Sequence, residues 1–190
     1  MGAKTDELLQ KIADRYAHPG EYARFAHEHE SAIQAAATAG LVVRPDTVAA
    51  ITLYNAEPAG GKSLIIDRIF THNLVSTAAQ AFFGLWYCVH PRMTEPTNDI
   101  TTLRGTGDGS PPNTGIVIVD VGATVLDNGW FPVGSGNDTE ATGVLPGSHA
   151  DWEAMGRLVV PPLGGISVQV LSAVVGDTFT SGLSWWRHQL

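Results

Sequence analysis

The hydrophobic pattern of this chain changes character near residue 40. Before that point, apolar residues recur every three or four positions, as they do on one face of an α-helix. Thr5 fits a helix N-cap, and the pair Pro19-Gly20 ends the first periodic stretch. The first predicted helix is defined by the apolar residues Leu8, Leu9, Ile12 and Tyr16.

A second helix is predicted over residues 21–39, with Gly40 as its C-terminal cap. Tyr22, Ala26, His29 and Ile33 follow one another at spacings of four, three and four, which places them on one narrow face. This face either packs on the chain's own β domain or joins identical subunits. Under the second interpretation these four residues are the predicted oligomer interface. Residues 1–40 are therefore predicted to form a two-helix arm.

From residue 41 onward, short β-rich runs are separated by Gly, Pro, Asn and Asp, which is typical of an antiparallel sandwich. Several runs alternate, so one face of each of these strands is expected to be buried. Residues 41–190 are predicted to form one jelly-roll-like β-sandwich, and the whole protein is predicted to be mainly β. The candidate strands are LVVRP, VAAITLYN, KSLIIDRIF, QAFFGLWYCVH, TGIVIVDVG, GRLVVP, GISVQVLSAVV and TFTSGLSWW.

Composition narrows the range of partners. Charged residues make up 16% of the chain, below the roughly 25% typical of soluble domains, which suggests a surface that is neutral or covered by other chains. The net charge of −8 has the wrong sign for binding a phosphate backbone, so direct nucleic-acid binding is not expected.

Cysteine content and terminal pattern bear on the cellular compartment. Cys88 is the single cysteine, so neither an intramolecular disulfide nor a cysteine-based zinc site is possible. The charged, amphipathic N-terminus predicts synthesis in a cytoplasm without a signal peptide. The uncharged runs 69–91 and 158–176 contain polar residues or paired Pro and Gly, so no membrane span is expected.

The segment AEPAGGKS, residues 56–63, imitates a phosphate-binding loop, and Asp120 imitates the magnesium-binding Asp of a nucleotide hydrolase. Ala56, however, stands where such a loop needs Gly, and the following SLIIDRIF predicts a strand where the loop needs a helix. The preferred prediction is a hairpin with residues 56–61 as its turn. A nucleotide hydrolase remains a disfavoured alternative.

Other catalytic and metal-binding patterns are weak. His27 and His29 are two residues apart, a spacing that separates them on a helix, so the sequence predicts no metal site and no cofactor. The chain has no Gly-x-Ser-x-Gly motif, and enzyme activity is not expected. A metal-dependent cupin-like enzyme is kept as an alternative.

Trp130 and Phe131 lie in the long Gly- and Pro-rich stretch 127–150. Long ordered loops are often contact surfaces, and an exposed aromatic ring there would meet a ligand or a protein partner. These two residues are the predicted contact loop. Because aromatic rings also stack on sugars, a carbohydrate-binding module is an alternative function.

Two segments resemble small jelly-roll structural proteins of tailed bacteriophage particles. ITLYNAEPAGGKSLIIDRIF is similar to a hairpin in which a strand ending in Tyr-Asn turns through a Gly-rich loop and returns as a Leu- and Ile-rich strand. GRLVVPPLGGISVQVLSAVVGDTFTSGLSWW is similar to a closing pattern of a Pro-Gly turn, an alternating strand and a last strand that ends in Trp. The resemblance covers about residues 41–190.

This resemblance implies a virion structural protein, such as a capsid decoration or head-spike subunit, that is made in the host cytoplasm. It implies a homotrimer whose partners are itself and the major capsid or other virion proteins, with a surface glycan as a further ligand in a host-recognition fibre. Nucleic acid and membrane are not among the expected partners.

Overall fold

The computed structural model describes residues 29–34, 37–77, 81–97, 100, 102–104, 116–138 and 148–189. These residues form eleven strands and no helix, so the described part of the chain is mainly β. The strands are β1 (His29–Ile33), β2 (Thr38–Ala39), β3 (Ile51–Asn55), β4 (Ser63–Val75), β5 (Ala81–His90), β6 (Leu103–Arg104), β7 (Val117–Val121), β8 (Phe131–Asp138), β9 (His149–Val160), β10 (Gly165–Ser172) and β11 (Thr178–His188).

The strands form two antiparallel sheets that face each other. Sheet A has the order β6-β1-β11-β4-β9, with β2 also pairing with β11. Sheet B has the order β7-β3-β10-β5-β8. The main core lies between the sheets and contains Leu53, Ile66, Val168, Leu183 and Trp185. The predicted β-sandwich is therefore confirmed for the described residues.

The helix predicted over residues 21–39 is wrong at His29–Ile33 and Thr38–Ala39, which are strands of sheet A. Along β1, Glu30 and Ala32 are buried, whereas the alternate residues His29, Ser31 and Ile33 are more exposed, which is the period-two pattern of a strand. Pairing with β11 decides the conformation because it buries Glu30 and Ala32 beside the core. Both strands precede the predicted boundary at residue 41. Tyr22, Ala26 and the first predicted helix lie outside the described residues.

The strand predicted after Lys62 is confirmed as β4, but the predicted hairpin is wrong. β3 pairs with β10 and β7 in sheet B, whereas β4 pairs with β11 and β9 in sheet A. Residues 56–62 therefore cross from one sheet to the other. The Asn55 side-chain amide donates to the carbonyls of Lys62 (2.9 Å) and Val160 (3.2 Å), which ties the ends of this crossing together.

Most remaining candidate strands are confirmed, although their limits shift. The run from residue 41 to 45 is not a strand, and Leu41 forms only an isolated bridge with Leu171. β8 lies inside the stretch predicted to be a long loop. A loop is predicted there because the sequence FPVGSGND has no apolar alternation. Its pairing with β5 stabilises it as a strand despite that pattern.

The predicted burial of one face of β10 is confirmed, and the opposite face is buried as well. Ser167 and Gln169 are buried together with the apolar residues of the opposite face. A small second hydrophobic cluster, called here the outer cluster, covers this side of sheet B. It consists of Ala49, Cys88, Ala123, Val125 and Trp130, with Trp86 and Met93 packed against it.

Candidate functional site

A chain of polar side chains lies on the outer face of sheet B, close to the outer cluster. His90 Nε2 is 2.8 Å from Ser167 Oγ, and Ser167 Oγ is 2.9 Å from Thr52 Oγ1. Asn128 Nδ2 is 3.1 Å from His90 Nδ1. β3, β10 and β5 each supply one residue because they are adjacent in the sheet, and Asn128 comes from the exposed loop that precedes β8.

The hydrogen bonds among these four side chains run in a direction that does not activate the Ser167 hydroxyl. Asn128 Nδ2 can only donate, so His90 Nδ1 accepts and Nε2–H donates to the Ser167 hydroxyl. A general base would have to accept the proton of that hydroxyl instead. Thr52, His90 and Ser167 are all fully buried, and burial lowers the pKa of His90. This geometry ties the strands together.

Cys88 lies two residues before His90 on the same strand and is also fully buried. Burial raises the pKa of its thiol, chiefly by desolvating the charged form. A reactive cysteine needs the opposite shift. The thiol therefore behaves as a small apolar group of the outer cluster.

The two predicted contact-loop residues have opposite environments. Trp130 is only 5% exposed, and its Nε1 donates to the carbonyl of Asp46 at 2.8 Å. The expectation of an exposed ring at Trp130 is therefore wrong, because the indole fills the outer cluster. Phe131, the first residue of β8, is 57% exposed.

Phe131 belongs to a row of aromatic rings that joins the two sheets at one edge of the sandwich. Its ring is 5.7 Å from that of Tyr87, which stacks at 5.3 Å and 6° on Trp152 of β9. The guanidinium of Arg157 lies 5.6 Å from the Trp152 ring. The sequence offered no signal for this row, since its members are brought together only by the approach of the two sheets.

An open depression of about 480 Å³ lies on the part of sheet B that the outer cluster does not cover. Gly84, which has no side chain, lies in the floor of this depression. Phe82, which also lines it, points outward and is 59% exposed. We call this region the outer depression. Its lining residues are Val42, Phe82, Phe83, Gly84, Ser135, Gly136, Asn137, Leu171, Ser172 and Ala173.

His29 and Ile33, predicted to share a helix face, share the outward face of strand β1 instead. A spacing of four residues also returns to the same side of a strand. The Nε2 atom of His29 is 3.4 Å from Asp67 Oδ2, and its ring is 4.6 Å from that of Trp186. Ile33 is 45% exposed.

His72 of β4 and His149 of β9 are directly opposite each other on the outer face of sheet A. Their ring centroids are 5.4 Å apart, and the planes differ by 30°. The pKa of His72 is lowered, chiefly by desolvation and then by the neighbouring His149 and Arg68. Asp151 partly opposes this shift. Among the described residues, no group of three or more His, Cys, Asp and Glu is arranged to hold a metal ion.

Comparisons with known proteins assign the chain to no family. No protein-family model matches the chain, and no curated protein matches it. Within the described part of the chain, no helix has the length and apolar character needed to cross a membrane.

Proposed function

We propose that this chain is a structural subunit of a tailed-bacteriophage particle, a homotrimer that decorates the capsid and acts by protein–protein contact. The observation that carries this proposal is the outer depression. Val42 and Phe82 line it and expose more than half of their surface to water. An apolar surface of this kind is typical of a site that another protein covers.

The surroundings of the depression support the same function. Val43 and Val175 are 67% and 78% exposed, and each lies within two residues of a lining residue. The Ala173 amide donates to the Phe82 carbonyl at 2.9 Å, which fixes the position of this rim. A rigid apolar surface loses little conformational entropy when a partner binds.

The low charge and the sandwich fold are also consistent with the resemblance to phage jelly-roll proteins. With 16% charged residues, the chain has less charge to desolvate at an interface than a typical soluble domain. The closing strands β10 and β11 are present as the resemblance implies. Its hairpin is not, because β3 and β4 belong to different sheets.

Sedimentation equilibrium of the full chain tests self-association. Wild type is expected at the trimer mass, and Phe82→Asp at a lower mass, because a buried unpaired carboxylate opposes the contact. Phe131→Asp is the matched control, since it places the same charge at a second exposed Phe of sheet B. A monomeric wild type, or an unchanged mass for Phe82→Asp, would contradict a trimer formed through the depression.

Immunogold labelling tests the location in the virion. Antibodies raised against the chain are expected to label the capsid of purified particles of the phage that encodes it. Unlabelled particles that nevertheless contain all of their other proteins would exclude the decoration role, whatever the oligomeric state of the isolated chain.

Carbohydrate binding is a second candidate, favoured by the row of Phe131, Tyr87 and Trp152. Exposed aromatic rings provide apolar surfaces on which a sugar can stack. Intramolecular stacking already covers part of Tyr87 and Trp152, so Phe131 is the ring most available to a ligand. A glycan array should lose its signal with Phe131→Ala and keep it with Phe82→Ala if this function is correct.

A further inference from the structure

The ring separation of the histidine pair on sheet A is close to that of two imidazoles bound to one metal ion. His72 and His149 are cross-strand partners, so their side chains leave adjacent backbones on the same side of the sheet. With metal–nitrogen distances of about 2.1 Å and each ring centroid about 1 Å behind its nitrogen, two imidazoles on a tetrahedral ion have centroids roughly 5 Å apart. The centroids of His72 and His149 are separated by 5.4 Å.

Strand pairing fixes the backbone positions from which the two imidazoles extend. β4 is paired on both sides, with β9 through His72 and His149 and with β11 through His72 and Thr180. A site built on paired strands loses less freedom on binding than one built on loops. Both side chains are exposed to solvent, so an ion can reach them directly.

The surroundings of the pair leave its nitrogens available. Within the described residues, no hydrogen bond to another residue is formed by either imidazole, and their only ring contact is with each other. Asp151 follows two residues after His149, and its carboxylate is 2.7 Å from a guanidinium nitrogen of Arg68. The opposite charges of Arg68 and Asp151 largely cancel, so this ion pair does not strongly repel a cation.

We propose that His72 and His149 form a binding site for a divalent transition-metal ion such as Zn²⁺, Ni²⁺ or Cu²⁺. Imidazole nitrogen is a preferred ligand for these ions. The two histidines supply two coordination positions, and the remaining positions are open to water or to another donor. This site is separate from the outer depression, and it does not depend on the proposed contact function.

Isothermal titration calorimetry of the full chain, first treated with a chelator and then titrated with zinc chloride, measures the zinc affinity of this site. Wild type is expected to bind one zinc ion through this pair. His72→Ala and His149→Ala should each weaken that binding by on the order of a hundredfold, because either change removes the chelate. His188→Ala is the matched control, since this exposed histidine at the end of β11 should leave the affinity unchanged.

Imidazole ¹⁵N chemical shifts identify the ligands independently of affinity. Zinc should shift ring nitrogens of both His72 and His149 at one equivalent. Equal zinc affinity in wild type and His149→Ala, or shifts confined to other histidines, would overturn the proposal. Circular dichroism of each variant confirms that it is folded, which is expected because both substituted side chains are exposed.

Discussion

The outer faces of the two sheets differ, although both sheets share the same inner core. On sheet B, the central strand β10 is buried on both sides, including the polar residues Ser167 and Gln169. On sheet A, strand β4, which lies between β11 and β9, is buried on its inner side and exposes Arg68 and His72 on the other. The difference shows that a third layer can be built without regular secondary structure.

This third layer consists of irregular segments between strands, held by backbone hydrogen bonds. The amide of Ala49 donates to the carbonyl of Ala123 at 3.1 Å, and the amide of Val125 donates to Thr47 at 2.9 Å. Gln169 Nε2 donates to the carbonyl of Val48 at 3.1 Å. A polar residue on the outward face of β10 therefore satisfies the backbone of the segment that buries it.

Truncation of Trp130 should give the largest loss, because it removes the largest side chain of the outer cluster. We expect Trp130→Ala to lower the free energy of unfolding by about 3–5 kcal/mol, through lost burial and the cavity left behind. Phe131→Ala is the adjacent control, and its exposed ring should cost less than about 1 kcal/mol. Urea unfolding measures both, and equal losses would mean that the two rings are not differently buried.

Ser167→Ala tests whether the polar chain supports the third layer. We expect a loss of about 1–3 kcal/mol, because buried His90 and Thr52 would each lose a hydrogen-bond partner. Ser135→Ala, at an exposed position of β8, should be close to neutral. An unchanged free energy of unfolding for Ser167→Ala would show that the hydrogen bonds among Thr52, Ser167 and His90 contribute nothing to stability.

Stability should also depend on pH through His90. Its pKa is lowered by burial in the folded protein, so the unfolded chain binds the proton more readily. The free energy of unfolding therefore decreases as the pH falls below about 6.5, the pKa of an unfolded histidine, and levels off below the folded pKa.

Two variants assign this pH dependence to a face of the sandwich. His90→Gln should reduce the decrease in unfolding free energy between pH 7 and pH 5. His72→Gln should reduce it less, because His72 is exposed on sheet A and Asp151 opposes the lowering of its pKa. Urea unfolding across this pH range measures both slopes, and a larger effect from His72→Gln would reverse the comparison of the two faces.

The smallest effect is expected on the outer face of sheet A. Arg68 pairs with Asp151 at 2.7 Å, but both side chains are substantially exposed, so water and salt screen the charges. Arg68→Ala should cost less than about 1 kcal/mol, and the loss should shrink in high salt. A larger, salt-independent loss would mean that this face contributes more than its ion pair.

Part of this architecture was predictable because it depends on local sequence. The β-branched run after Lys62 and the alternation in residues 165–186 predicted strands that the structure contains. β1 was not predictable in this way, since a spacing of four residues suits one face of a helix and one face of a strand equally. Contact with β11 distinguishes these two possibilities.

The candidate sites depended still more on long-range contacts. His72 and His149 lie on segments far apart in the chain, and only the pairing of β4 with β9 brings their rings together. Trp130 lies in a stretch of Gly and Pro that is typical of an exposed loop, yet its ring is buried. Nothing in the neighbouring residues of either site reports these contacts.

The sequence by itself determined the β-rich character of the described residues after position 41 and the strand that follows Lys62, because alternation and β-branching act over a few residues. The tertiary structure alone decided the strand at His29–Ile33, the separation of β3 from β4 and the burial of Trp130. These features arise from pairing and packing between distant segments, and their free energy is gained only when those segments meet.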